Sequence, residues 1–409
     1  METLLDLNGQ RRLAEYFGHI GDLLRYEKRR VAFATYALGL LGDGERKSVE
    51  PIAARACADP RLTDAAHQRL LHFLADSDWS DRDVRRFAAR YAIDAMTARE
   101  PVDSWIFDDT GFPKQGKHSV GVQRQYSGTL GKIGNCQIGV SLSIATRSAH
   151  VPVDFELYLP ECWTEDAARR REARIPDEIV FKTKTELAID MLRRAVADGH
   201  PKGVVLADCF YGRSSEFRNE VRRLGLDYAV AIDSDTKVWR IDSLARRCGE
   251  PLVINELAQQ IGRREFRRVT WRQGTKAKLS ARFALLPVIP FHDDGIAPSV
   301  REDVFLLMEW ETGEDKPTKF YFINVEPTAE INTKRLVRMI KQRWRTERVY
   351  EDMKGELGLD HFEGRRFRGW HHHVSVALCC FAFVVAETSR LFPPSARKSV
   401  GHRSEFLAA

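Results

Sequence analysis

Three acidic residues carry the first chemical suggestion in this sequence. Asp109 ends the apolar run "SWIFDD", Asp208 ends "VVLAD", and Glu347 lies in the basic stretch "RWRTERVYEDMKGEL". A carboxylate at the end of a buried strand is costly unless a cation or hydrogen bonds meet it. Two such acids on separate strands, with a third from a helix, make the oxygen-only set that hard Mg²⁺ takes, leaving room for phosphate oxygens. Two ions about 4 Å apart can activate a water and stabilise the leaving oxygen of a phosphodiester. Singly, each acid has an ordinary explanation as a cap or turn residue; jointly, in this element order, they point to metal-assisted phosphodiester chemistry. Asp108 competes with Asp109 for the first place. Strand alternation puts Asp109 on the face of Phe107 and Trp105, and Asp108 on the other.

The elements that must position these acids follow from periodicity. Residues 1–100 read as helices, with Leu13, Phe17, Ile20 and Leu24 at helical steps. "SDRDVRRFAARYA" opens with Ser80 and Asp83 in capping-box spacing. Near residue 104 the period changes to that of strands: "SWIFDD", "NCQIGVSLSIAT" and "HVPVDFELYLP". A helix, "TKTELAIDMLRRAVADG", stops at Gly199 and Pro201, and strand, helix and strand follow through "GVVLADCFYG", "SSEFRNEVRRLG" and "LDYAVAID". This order predicts an α/β fold with a ribonuclease-H-like catalytic core. Its first part would span 101–234, a β-rich insertion 235–330, and completing helices 331–392, with a loose tail at 393–409.

Composition narrows the class. The chain has 409 residues, 43% hydrophobic and 30% charged, with a net charge of +6. That describes a globular protein with a core, and leans weakly toward an anionic partner. Residues 334–368 hold eleven Lys/Arg against six Asp/Glu, a net of +5, so this one stretch equals nearly the whole excess. The seven cysteines, at 57, 136, 162, 209, 248, 379 and 380, show no ligand spacing and fit a reducing cytoplasm. The N-terminus has no signal-peptide core. The longest apolar run, residues 374–386, is short of the roughly 20 residues a membrane span needs, so a buried helix is expected and no membrane partner.

Several motifs in order resemble the DDE transposases of bacterial insertion sequences, in the branch with a Y-x2-R-x3-E-x6-K signature. Here that stretch reads Ile340, Arg343, Glu347 and Lys354, so the first aromatic is lost and the rest is intact. "DDTGFPKQGKHSVGVQRQYSGTLGKIGNCQ" and "LADCFYG" resemble the first and second Asp motifs, and "GELGLDHFEGRRFRGWHHH" the segment after the Glu. The resemblance covers roughly residues 20–390. It implies a ribonuclease-H-like core with a β insertion, catalytic and metal-binding Asp109, Asp208 and Glu347, and two Mg²⁺ ions, with Mn²⁺ as a substitute. Its x-D-T spacing favours Asp109 over Asp108.

The implied partners are double-stranded DNA, as terminal inverted repeats and target, and a second copy of the chain in the active complex. The implied location is the bacterial cytoplasm, at the nucleoid. The N-terminal helices and the basic helix would bind the repeats. Arg343, Glu347 and Lys354, at steps of four and seven, would share a helical face, with Arg343 and Lys354 on phosphates. Ile340 offers no hydroxyl to a phosphate and suits a buried position, which puts a hairpin DNA end at excision in doubt.

Further basic candidates for DNA are Lys341 and Arg345 on the basic helix, and Lys114, Lys117, Arg124 and Lys132 in a glycine-rich segment. That segment reads equally as a phosphate cradle or as an ordinary hairpin. Trp239, Trp271 and Trp310 could stack on an unpaired base, although core packing explains each better. "HHH" at 371–373 cannot share one helical face, which argues against a metal-ligand role. Two rival functions remain open on the sequence: a nuclease of the same fold without strand transfer, and a domesticated DNA-binding protein that no longer cuts.

Overall fold

The computed structural model describes residues 6–241, 248–273, 278–291, 303–325 and 332–391. The expected loose tail at 393–409 lies outside the described residues. Contacts divide the chain into two compact units: residues 1–102, 108–200 and 346–409 form one, and residues 103–107 and 201–345 the other. This division does not follow the linear order of segments, because strand β1 (Val102–Pro113) contributes to both.

The first unit opens with helices α1 (Leu7–Leu24), α2 (Glu27–Leu41), α3 (Val49–Ala56), α4 (Thr63–Ala75) and α5 (Asp81–Thr97). The Ser80 hydroxyl accepts from the Asp83 N–H at 3.1 Å and starts α5, whereas the Asp83 carboxylate turns to Arg86 rather than closing a box. Strands β2 (Gln123–Ser127), β3 (Lys132–Thr146) and β4 (His150–Tyr158) follow. β2 and β4 each pair antiparallel with β3, and β3 lies beside β1. After the short helices α6 (Glu161–Thr164) and α7 (Ala167–Ala173), α8 (Lys184–Ala197) packs on β3 and β4. Its capping box is complete, between Thr183 and Glu186.

In the second unit, the start of β1 pairs parallel with β5 (Val204–Ala207), through Ser104↔Val204 to Ile106↔Leu206. Helices α9 (Cys209–Gly212) and α10 (Ser215–Arg223) lead to β6 (Tyr228–Ile232), parallel to β5. A Cβ on Gly212 would stand 1.9 Å from the Ala231 carbonyl oxygen, so only glycine lets α9 rest on β6. The expected β-rich stretch holds β7 (Lys237–Arg240), β8 (Cys248–Val253), helix α11 (Ile254–Gln260), β9 (Arg267–Gln273), β10 (Lys278–Pro290), β11 (Val304–Trp310) and β12 (Lys319–Ile323). It is no separate sheet: β12 pairs antiparallel with β6, and β11, β10, β7 and β8 continue outward from it.

The helices expected over 331–392 are three, and the basic stretch 334–368 is divided among them. α12 (Thr333–Ile340) and α13 (Trp344–Leu357) are separated by a turn, and Gly358, at φ +62°, ends α13 before α14 (Phe367–Leu391). By length and composition α14 could cross a membrane, but 67% of its apolar window is buried inside the protein. It packs on α5, β4, α4 and α2. An ionic cluster links α5, α8, β4 and α14: Arg85 and Arg194 hold Asp154 and Glu156, and His371 Nε2 stands 3.3 Å from Glu156.

Candidate active site

β1 is buried from Ser104 through Asp108 because both faces are covered. Trp105 Nε1–H donates to the Pro201 carbonyl at 2.9 Å, and Phe107 packs edge-on to Phe217 at 5.4 Å. Asp108 is buried, and its Oδ1 accepts from the Asp109 N–H at 2.9 Å. Asp109 is partly exposed and its Oδ2 lies 2.6 Å from Lys184 Nζ, in the first turn of α8. Asp208 caps α9, where Oδ1 accepts from the N–H groups of Phe210 (3.0 Å) and Tyr211 (3.4 Å).

Glu347 is exposed on α13, two turns before Lys354 and on the same face. The helix is anchored by its other residues. The Tyr350 and Ser141 hydroxyls are 2.5 Å apart, and Thr346 Oγ1 lies 3.4 Å from His150 Nε2. Lys354 reaches β1: Nζ donates to Thr110 Oγ1 at 2.8 Å and to the Gly111 carbonyl at 2.7 Å. Burial lowers its pKa. Thr110 shares a strand face with Asp108, whereas Asp109 points to the other, where Lys184 meets it. Arg343 lies in the turn before α13 rather than on it, so the helical-face relation holds for Glu347 and Lys354 but does not extend to Arg343.

The other basic candidates divide into engaged and exposed. Lys341 Nζ bonds both oxygens of the fully buried Glu309 at 2.6 Å and stands 4.9 Å from the centre of the Trp271 ring. Lys114 donates to the carbonyls of Asp360 (3.2 Å) and Phe362 (2.6 Å), and burial lowers its pKa. Both ammoniums hold the fold. Arg345 is half-buried. Lys117, Arg124 and Lys132 are exposed, the last two on the β2–β3 hairpin and Lys117 in the loop before it.

The aromatic and histidine candidates are packed. Trp239 is buried against Phe291 at 4.9 Å, Trp271 meets Phe283 at 6.0 Å, and Trp310 meets Phe266 at 5.2 Å. His373 takes a defined tautomer: Nε2–H donates to the Leu359 carbonyl and Nδ1 accepts from the Tyr36 hydroxyl. Burial pushes its pKa down to about 4. His372 faces the Leu74 and Trp79 carbonyls, and His371 faces Glu156, so the three imidazoles serve three different neighbourhoods. Among the described residues no three His, Cys, Asp or Glu side chains gather as a metal cluster.

Lys184 was not legible as a site residue. Its surroundings in sequence signal only a helix start, and nothing local says that α8 begins opposite Asp109. Thr110 had a signal, the x-D-T spacing, but its partner lies 244 residues away.

A family model described as "DDE superfamily endonuclease" matches residues 16–278, and one described as "Transposase DDE domain" matches residues 182–383. The probable transposase for insertion sequence element IS701 of Microchaete diplosiphon is 30% identical over 205 residues, 50% of this chain and 49% of that protein. The chain thus spans about half the length of the curated relative it matches.

Proposed function

Because the chain belongs to the DDE superfamily endonuclease family, we propose that it is an insertion-sequence transposase that cuts DNA at terminal inverted repeats and joins the freed end elsewhere. The core would be ribonuclease-H-like, and the strand order of the two units, with β3 and β4 before α8 and β5 parallel to β1, supports that reading. One observation carries the site: Lys354 ties α13 to β1 beside Asp108 and Asp109, which fixes Glu347 on a helix anchored to the strand that bears the first acid.

Enzymes of this superfamily generally use divalent metal ions. The donor set fits: Asp109, Asp208 and Glu347 offer only carboxylate oxygens, and Asp109 already accepts a cation, the Lys184 ammonium. When bound, such ions (Mg²⁺ or Mn²⁺, two in number) would ease deprotonation of water and stabilise a leaving oxygen. The residues of the chain would do the rest. Asp208, braced by two N–H groups, keeps its carboxylate oriented. Arg343 would hold a phosphate beside the cut, and Lys354 would keep α13 in register with β1. In cleavage, water attacks the phosphodiester and leaves a 3′-hydroxyl; in joining, that hydroxyl attacks a target phosphodiester and displaces its 3′-oxygen. Acting on two ends together calls for a homodimer.

A second assignment of the first acid has its own support, since Asp108 shares the face of Thr110, which Lys354 contacts. The experiment is a cleavage and strand-transfer assay on plasmid DNA carrying the element ends, with Mg²⁺. Asp109→Ala, Asp208→Ala and Glu347→Ala should each lower the rate by about 10²–10³-fold or more, with end binding retained and Asp108→Ala active. An inactive Asp108→Ala beside an active Asp109→Ala moves the first acid to Asp108. Cleavage without joined product would leave a nuclease, and no metal-dependent cleavage at all would end the reading.

A further inference from the structure

Between Asp109 and Asp154 the chain has no Asp or Glu, although it carries 58 of them over 409 residues. The β2–β3 hairpin lies in this gap. Its exposed face mixes cations with large apolar groups. Tyr126 is 67% exposed and Ile133 60%, and the two stand directly opposite each other in the register. Arg124 lies on the same face as Tyr126, two residues before it; Lys132, paired with Ser127, is exposed at the hairpin tip on the other face, and Lys117 is exposed in the loop before β2. Among the described residues no acid pairs with Lys117, Arg124 or Lys132, and no strand pairs with the outer edge of β2.

Side-chain amides on β2 and β3 tie the hairpin together and to the loop before it. Asn135 Nδ2 donates to the carbonyls of Lys114 and Gly116, both at 2.8 Å, and Gln125 Nε2 donates to the Cys136 carbonyl at 2.9 Å. Gln137 Nε2 donates to the Val120 carbonyl at 2.7 Å. A basic edge strand can serve simply to discourage pairing with other chains. That role does not explain a tyrosine and an isoleucine left in solvent between the cations.

We propose that the β2–β3 hairpin is a docking ridge for duplex DNA, with Arg124, Lys132 and Lys117 on backbone phosphates and Tyr126 against sugar or base. The inference rests on the transposase reading and adds a surface to it. Charge selects the occupant: a polyanion complements an acid-free basic ridge, whereas a second copy of a chain with net charge +6 would bring like charge toward it.

The test uses the full chain and a linear duplex of arbitrary sequence, since the phosphate component does not depend on sequence. The slope of log K against log salt should fall by about 0.9 for Arg124→Ala and again for Lys132→Ala. Tyr126→Ala should weaken binding several-fold and leave the slope unchanged, because it removes no charge. All three side chains are exposed, and circular dichroism checks that the variants fold. Unchanged slope and affinity in the three variants, with wild-type end cleavage intact, overturns the ridge while the transposase reading stands. A wild type that binds the duplex with these dependences but never cuts element ends retains the ridge and overturns the reading. Loss of a dimer on sedimentation of Tyr126→Ala, with DNA binding unaltered, makes the face a self-association surface and overturns the proposal.

Discussion

Residues 114–132 and 334–368 both look like basic patches in the sequence, and the structure uses their charge in opposite ways. In the later stretch, cations are spent on internal partners. Lys341 neutralises buried Glu309, Lys354 is held by Thr110 and a carbonyl, and Arg348 pairs with Glu351 and Asp352. Arg366 and Arg368 reach back to Asp76 and Asp78. In the earlier stretch, Lys114 is likewise consumed by carbonyls, but Lys117, Arg124 and Lys132 face solvent with no acid among the described residues to answer them. Net charge counted along a sequence therefore misplaces the potential. Unmatched charge is what a phosphate meets, and the stretch with the larger excess has less of it to offer than its composition suggests.

The comparison breaks first at Lys341. If its charge serves the fold, Lys341→Ala strands the Glu309 carboxylate and should cost about 3–5 kcal/mol of stability, read as a fall in urea midpoint. Lys341→Met with Glu309→Gln should recover most of that loss. A Lys341→Ala protein of wild-type stability with a reduced salt slope for DNA would return Lys341 to the DNA surface.

Arg343 should show a smaller effect, and on activity. Arg343→Ala should weaken cleavage and joining by about ten- to a hundredfold, the scale of a charge-assisted hydrogen bond, and Arg343→Lys should recover only part of it. Ile340 is buried on α12, so Ile340→Ala should act on stability before it acts on DNA. End-labelled products on a denaturing gel report any hairpin DNA end, and efficient hairpin formation in Arg343→Ala would place the phosphate grip elsewhere.

Lys354 separates charge the fold needs from charge it tolerates. Burial lowers its pKa, so the unfolded chain binds the proton more readily, and this group's contribution to stability rises with pH between the lowered value and its ordinary one. Lys354→Met should change stability at neutral pH by no more than about 1 kcal/mol, flatten that rise below the ordinary lysine value, and still impair cleavage. Equal loss of stability and activity would reduce Lys354 to a structural residue.

The finest test converts one region into the other. Ile133→Glu places an acid on the exposed face shared by Arg124 and Tyr126. It should leave stability within about 0.5 kcal/mol, as exposed substitutions do, and lower the salt slope by an amount similar to Arg124→Ala. An unaltered slope would mean that the ridge does not lie on DNA.

Much of this was legible in the residues themselves. Alternation at "SWIFDD", the helix start at Thr183 and the strand "VVLAD" are local signals, because side-chain period and capping are set by neighbours in sequence. They located β1, α8 and β5 and put Asp208 just past the end of β5; Asp109, expected at the end of its strand, lies inside β1, which runs on to Pro113. The spacing from Glu347 to Lys354 likewise determined that both lie on one helical face. The break before α13 was not legible, since Lys341 to Arg343 carry no proline or glycine to announce a turn.

Partnership was decided only in three dimensions. No local pattern distinguishes Lys341, 2.6 Å from a buried glutamate 32 residues away, from the exposed Lys132. Nor does it reveal that Lys184 would meet Asp109, or that Lys354 would cross to Thr110. The physical reason is the reach of the two kinds of force. Backbone period and caps act over three or four residues and are written in order along the chain. The burial that makes a charge seek a partner comes from segments far apart along the chain, and it exists only once they have packed.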